Sequence, residues 1–302
     1  MILITGATGF IGRHLVQRLV ERGERPRCLV RNISRAAKLL PAEKVELVEG
    51  ATTLAFTLEP ALRGVDTVIH AAFMTADRKQ SAGNTYEGTN VIGTTNLVNA
   101  ALAAGVRRMI ELSGLGTKPD RPGSYMQGRY LAEEVLKKSA LAWTIVQPSV
   151  LFGKGAPFFK GLADLIRSAP VVPLIGGGSL RFQPIYVEDV VTVILRLLDD
   201  PEGSRNRTFV IGGPEYYTFA QIIDLLMQTL QVRRATLPMP LFLAHIGATA
   251  MELVLPKPPI TRAALTLFTF DNVTALDAVE RQFGFQPLSW RSYLAQTGKD
   301  GL

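Results

Sequence analysis

The 302 residues contain one cysteine, Cys28, and three histidines, His14, His70 and His245. A single thiol excludes a disulfide framework and a cysteine-ligated metal cluster. The histidines lack metal-ligand spacing, so no metal site is expected. Cys28 sits in the apolar run Arg27-Cys28-Leu29-Val30, which marks it as a core residue. Uninterrupted apolar runs are also scarce. The longest apolar stretch, Leu241–Leu255, is broken by His245 and Glu252 and bounded by prolines, so no transmembrane segment is expected. Its apolar residues outnumber what one helix face can bury. A helix there is expected to be buried or covered by a second surface, through an oligomer contact or a protein partner. Acidic excess is absent too: 33 Lys and Arg against 26 Asp and Glu leave a net charge of +7. The bases are scattered, in pairs such as Arg107-Arg108, Lys137-Lys138 and Arg233-Arg234. Without a basic run or stripe, no nucleic-acid partner is expected. No basic n-region precedes the opening strand, so the expected location is cytoplasmic.

What is present is alternation. Ile2–Thr5, Arg27–Arg31, Val45–Val48, Thr67–His70, Arg108–Ser113 and Trp143–Gln147 are short apolar runs, the form of parallel strands covered on both faces. Between them Ile11–Arg22, Leu54–Arg63, Thr89–Ala104 and Tyr125–Ser139 read as helices. Strands alternating with helices imply βαβ crossovers and an α/β, doubly wound parallel sheet, a Rossmann fold. After Gly153 the character changes. Phe158–Arg167, Glu188–Leu198 and Thr218–Leu230 read as helices, and Phe182–Val187 and Thr208–Ile211 as strands. The segment Ala169 to Gly178 is rich in proline and glycine, and the tail from Pro238 is mostly helical. The expected organisation is a dinucleotide-binding domain over residues 1–153 and a smaller C-terminal substrate lobe over 154–302, interleaved with the core sheet.

The clearest chemistry lies at Thr5-Gly6-Ala7-Thr8-Gly9-Phe10-Ile11-Gly12, which leaves a strand and opens a helix. The first glycine allows a sharp reversal, the second a close approach of pyrophosphate to backbone, and the third tight packing of helix on strand. The helix start, Gly9 to Gly12, then offers N–H groups and a positive dipole end to the anion. An acid at the end of the second strand would bind the adenosine ribose of NAD. Here that strand runs into Arg31-Asn32 instead. Arg31 can present a planar fork to a 2′-phosphate, which favours NADP, with NAD as the alternative.

With Thr5–Gly12, His70-Ala71-Ala72, Asn90-Val-Ile-Gly93-Thr94, Ser124-Tyr125, Thr144–Ser149 and Pro184-Ile-Tyr-Val-Glu-Asp189, the chain resembles the NAD-dependent epimerase/dehydratase family. That family is the extended branch of the short-chain dehydrogenase/reductases. More narrowly, the chain is similar to atypical members related to the reductase-like accessory subunit of respiratory complex I. The resemblance implies cofactor contacts from Ala71, Ala72 and Phe73 after the fourth strand and from Pro148 near the nicotinamide. It also implies a Ser or Thr, a Tyr acting as general acid/base, and a Lys four residues after the Tyr. Tyr125 fills its position, but Arg129 stands where the Lys belongs. Gly114 aligns with the hydroxyl position, and a shift of one residue would place Ser113 there. The implied activity is hydride transfer between NADP(H) and a small carbonyl or hydroxyl substrate. The alternative is a catalytically silent cofactor-binding sensor or assembly subunit.

Overall fold

The computed structural model describes residues 1–256, 258 and 260–302. Its elements run β1 (Ile2–Thr5), α1 (Phe10–Glu21), β2 (Arg27–Val30), α2 (Ile33–Ala36), β3 (Glu46–Glu49), α3 (Leu58–Leu62), β4 (Thr67–His70), α4 (Gly93–Ala103), β5 (Arg108–Leu112), α5 (Tyr125–Lys137) and β6 (Ala142–Pro148). There follow β7 (Leu151–Phe152), α6 (Pro157–Ser168), β8 (Val171–Ile175), β9 (Arg181–Phe182), β10 (Ile185–Tyr186), α7 (Val187–Asp199), β11 (Arg207–Ile211) and β12 (Tyr217–Thr218). The chain closes with α8 (Phe219–Leu230), β13 (Ala235–Met239), α9 (Leu241–Val254), α10 (Ala278–Phe283) and α11 (Trp290–Thr297).

Seven strands form one sheet in the order β11-β6-β5-β4-β1-β2-β3. The pairings from β3 through β6 are parallel. This is the expected doubly wound Rossmann sheet, and the order reverses between β1 and β4. Ligands of open α/β sheets bind at the carboxyl ends of strands at such a switch point. The chain divides into two compact units. The first comprises Met1–Met74, Gln80–Gln147 and Val191–Phe209; the second comprises Thr75–Lys79, Pro148–Val190 and Val210–Leu302. In the first unit Leu3, Leu29, Val68, Met109 and Ile145 of the strands pack with Leu62, Leu97 and Leu136 of the helices. Cys28 is fully buried, and burial pushes its thiol up to about 12, so it is an inert core residue.

Several expected elements take a different form. The helix expected over Thr89–Ala104 opens as a π-helix, Glu87–Ile92, before α4 begins. The strand expected over Phe182–Val187 splits at Gln183-Pro184: β9 pairs antiparallel with β12, and β10 parallel with β7. Proline has no N–H for a ladder, and the Gln183 carboxamide bonds Gly213 O (2.7 Å) and Thr274 N (2.6 Å). The Pro- and Gly-rich Ala169–Gly178 contains β8, which pairs in parallel with β13. Leu241–Leu255 does form a helix, α9. The chain itself does not bury it: Phe242 is 64%, Ile246 62% and Leu253 81% exposed. Among the described residues no helix is long and apolar enough to cross a membrane.

Candidate functional site

The glycine turn after β1 is shaped by contacts that tolerate no side chain. Gly6 has φ +72°, and a Cβ there would lie 2.5 Å from Ala71 O, at the end of β4. Gly6 therefore sits against the neighbouring strand at the switch point. A Cβ on Gly12 would lie 2.2 Å from Gly6 O, so its absence lets α1 start tightly against the turn. Gly9 is the N-cap of α1, no side chain caps it, and the first turn of α1 holds no acid. A pyrophosphate suits this cradle: the helix start offers backbone donors and no competing carboxylate. Thr8, Phe10 and Ile11 belong to the same turn and helix start. Arg31 lies exposed just past β2, and Asn32 caps α2 by accepting from Arg35 N at 2.7 Å.

The loop after β4 is held by buried polar bonds. Asn90, in the π-helix, accepts from Met74 N (2.7 Å) and donates to Met74 O (3.2 Å), which fixes the loop Ala71–Met74. His70, at the end of β4, is fully buried between Thr5 and Thr94. The Thr94 hydroxyl donates to Asn90 O at 2.6 Å, so its oxygen accepts from His70 Nε2–H at 3.0 Å. His70 Nδ1 then accepts from the Thr5 hydroxyl at 2.7 Å. Burial, and secondarily the charge of Arg129, lowers the His70 pKa to about 3, so this imidazole stays neutral.

Beside this loop lie Tyr125 and Arg129, one turn apart on α5. Ser124 caps that helix by accepting from Gln127 N at 3.1 Å. Arg129 is buried; its Nε donates to the Tyr125 hydroxyl at 2.9 Å and one terminal nitrogen donates to Leu112 O at 3.1 Å. Its guanidinium also lies 5.0 Å from the centre of the Phe73 ring. The Tyr86 ring meets Tyr125 edge-on at 5.5 Å. The structure thus brings Phe73, Tyr125 and Arg129 together. At Gly114 a Cβ would meet Arg129 Cζ at 3.9 Å, an ordinary contact, so lack of space does not explain the missing hydroxyl.

A sequence model of NAD(P)H-binding proteins matches residues 6–201. The chain belongs to the NAD(P)H-binding family. It is 24% identical over 279 residues to NADH dehydrogenase (ubiquinone) 1 alpha subcomplex subunit 9, mitochondrial, of Arabidopsis thaliana, a match covering 90% of this chain and 68% of that protein. It is 30% identical over 271 residues to the (4-alkanoyl-5-oxo-2,5-dihydrofuran-3-yl)methyl phosphate reductase of Streptomyces griseus, covering 88% of this chain and 85% of the relative. Among solved structures, the fold matches dTDP-glucose 4,6-dehydratase from Streptomyces venezuelae with NAD bound. The TM-score is 0.74 at 22% identity, covering 99% of this chain and 96% of that one. The expected likeness to the complex I subunit and to the epimerase/dehydratase fold is borne out.

In this NAD(P)H-binding protein, Ser113 is engaged elsewhere. Its hydroxyl donates to Glu133 Oε1 at 2.5 Å and lies 3.2 Å from the Thr117 hydroxyl. Glu133, buried on α5, also accepts from Gln147 Nε2 (2.7 Å) and Lys137 Nζ (3.1 Å). A second carboxyl, Glu111 on β5, is fully buried, and among the described residues neither of its oxygens has a hydrogen-bond partner. Burial, then the neighbouring Glu133, pushes its pKa up to about 8, so Glu111 is neutral at pH 7. Sequence reasoning passed over Glu111, Glu133 and the Asn90 clamp. Glu111 does carry a signal, a lone charge inside the apolar run Arg108–Leu112. Pro148 ends β6.

Proposed function

We propose that the chain is an NADP(H)-dependent oxidoreductase that reduces a small carbonyl compound, with Tyr125 as the proton donor. The observation that carries this reading is the 2.9 Å bond from Arg129 Nε to the Tyr125 hydroxyl. A guanidinium donating to a phenolic oxygen stabilises the phenolate left after proton transfer. It thereby does electrostatically what a lysine would do at that position. The Gly6–Gly12 turn, with Thr8, Gly9, Phe10 and Ile11, would hold the pyrophosphate. Arg31 and Asn32 would hold the adenosine end, and Ala71, Ala72, Phe73, Arg129 and Pro148 would line the nicotinamide end. When bound, NADPH supplies hydride to the carbonyl carbon. Tyr125 gives its proton to the carbonyl oxygen, and the Arg129 charge holds the resulting phenolate. Ser113, whose hydroxyl donates a hydrogen bond to Glu133, positions the end of β5 in this reading. The relative named as the reductase of an alkanoyl-oxo-dihydrofuran methyl phosphate supports a reductase reading. The proposed location is the cytoplasm, and the exposed helix α9 is proposed as an association surface.

The test is NADPH oxidation across a carbonyl panel. Tyr125→Phe is expected to lose turnover by at least about a hundredfold, the scale of general acid catalysis, while NADPH affinity stays within a few-fold. Equal activity of the variant, or no turnover by the native chain, would transfer the assignment to a silent cofactor-binding subunit. That second reading draws on Gly114 and on the Ser113 hydroxyl committed to Glu133. For cofactor choice, calorimetry on Arg31→Ala is expected to show NADP affinity weakened by about 1–3 kcal/mol, with NAD affinity unchanged. Equal losses for both cofactors would remove the preference for NADP.

A further inference from the structure

The Arg129 guanidinium has more donors than the protein uses. Its planar fork carries five N–H bonds. Nε donates to the Tyr125 hydroxyl at 2.9 Å and Nη1 to Leu112 O at 3.1 Å. Nη2 has no acceptor among the described residues, and it is not sealed from solvent. The aim of the fork is nevertheless fixed. Its Cζ lies 5.0 Å from the Phe73 ring centre and 5.4 Å from that of Tyr125, and the Leu112 carbonyl anchors its end. In a guanidinium the Nε–H bond and one Nη2–H bond run parallel along one edge, which receives two oxygens side by side in a bidentate pair. The Tyr125 oxygen occupies the Nε half of that edge. The Nη2 half points beside it, where an oxygen bonded to the Tyr125 proton would lie.

A carbonyl oxygen in that place needs a second donor. Hydride addition puts negative charge on it before the proton has arrived, and donors already aimed at the oxygen lower the barrier. The hydroxyls that flank Gly114 and Tyr125 in the chain are spent: Ser113 donates to Glu133, Thr117 to Gly114 O at 2.7 Å, and Ser124 to the Asp120 carboxylate. Gly114 has none, although its backbone lies outside the left-handed region. A Cβ there would meet Arg129 alone, with Cζ at 3.9 Å and Nε at 4.0 Å. The place that a hydroxyl at position 114 would reach is therefore the place beside the guanidinium. We propose that Arg129 is a catalytic residue in its own right, whose Nη2 donates to the substrate's carbonyl oxygen while its Nε holds the Tyr125 oxygen. The assignment rests on the oxidoreductase reading. Hydride reaches the carbonyl carbon from NADPH with its electron pair, and the carbon–oxygen π pair moves onto the oxygen. That oxygen takes the Tyr125 proton, the O–H pair stays on the phenolate, and the products are the alcohol and NADP. The charge passes between two neighbouring oxygens that share one edge of the fork. Lysine, a point charge on a flexible stem, presents no such edge. Gly114 and Arg129 are then one paired change: the donor missing from the end of β5 is supplied from α5.

The native chain, Arg129→Lys, Gly114→Ser and the double variant are compared with the fastest-reduced compound of the carbonyl panel as probe. Arg129→Lys is expected to lose at least about tenfold in kcat, towards the scale of a lost oxyanion donor. Adding Gly114→Ser to it is expected to recover at least about fivefold, because the hydroxyl replaces the substrate donor and leaves the charge at Tyr125 as it was. In the native chain the same Gly114→Ser is expected to bring no gain in kcat, since the donor is already in place. A second readout needs no turnover. In the unreactive complex with oxidised NADP, the infrared stretch of the probe's carbonyl is expected at lower frequency in the native chain and the double variant than in Arg129→Lys. Undiminished kcat in Arg129→Lys, or a carbonyl stretch that it does not move, overturns the assignment. So does a several-fold gain from Gly114→Ser alone, a result that stands even where Arg129→Lys does not fold. A native chain that reduces no carbonyl, or Tyr125→Phe at native activity, instead defeats the oxidoreductase reading and this assignment with it.

Discussion

Two buried titratable side chains pull the stability of this protein in opposite directions. Glu111 keeps its proton in the folded chain up to about pH 8, whereas the unfolded chain releases it near 4.5. The folded state binds the extra proton across that window, so stability falls as pH rises through it. His70 behaves in the reverse sense. Its folded pKa lies near 3 against an unfolded value of 6.5, so stability falls as pH drops through that window. Where the windows overlap the slopes cancel, which places the least pH-sensitive region between 4.5 and 6.5. Glu111→Gln removes the first group with little change of shape. Its Tm is expected to exceed that of the native chain by at least about 3 °C at pH 8, with the gap closing towards about pH 5. A gap independent of pH would mean that Glu111 is ionised in the fold. Glu111 and its neighbour Glu133 also show what a single sequence conceals. Glu111 stands out in an apolar strand, but its neighbour Glu133 reads with Glu134 as part of a solvated helix face. Only the arrival of Ser113 and Gln147 from β5 and β6 reveals that Glu133 is buried.

At the level of elements, the strands β1, β2, β4, β5 and β6 were readable because each is covered on both faces. Continuous apolar runs with no competing period leave little choice. The pair β8 and β13 was hidden for the opposite reason. Three of the five β8 residues and all of β13 are at least partly exposed, and each strand contains a proline. Nothing in their composition separates them from loop. The π-helix before α4 was also illegible, since its six residues are too few to set a period of their own. Its effect is to bring Asn90 onto the Met74 backbone. The start of α1 was the most legible element, because three glycines at that spacing have a single steric explanation. Gly12→Ala tests it. The added Cβ, 2.2 Å from Gly6 O, must lift α1 off the turn. The expected cost is about 1–3 kcal/mol of stability, with NADPH affinity reduced at least about tenfold as the donors move off the pyrophosphate. Thermal denaturation and calorimetry read the two effects separately. Unchanged values in both would show that α1 is not held as closely as the geometry states.

For the whole molecule, the informative feature is that the first unit is assembled from separated stretches of chain. Its sheet ends on β11, contributed by residues that follow the second unit's segment Pro148–Val190. The buried Arg108 shows the dependence, since it donates to Leu197 O and to Ser204 Oγ, both at 2.6 Å. A fragment covering residues 1–153 lacks those partners and presents β6 as an open apolar edge. It is expected to aggregate on expression, as read by sedimentation and loss of a cooperative melt. A monomeric, cooperatively melting fragment would show that β11 is dispensable. The same arrangement has a temporal side. During synthesis, β6 is finished before any part of β11 exists, and about 60 residues must still be added. At about 5–20 residues per second this interval lasts roughly 3–12 s. Throughout it the nascent sheet carries a seven-residue unpaired edge, Ala142–Pro148. The yield of folded protein is then governed by how well that edge is shielded while translation proceeds, and slow codons between Pro148 and Arg207 would lengthen the exposure.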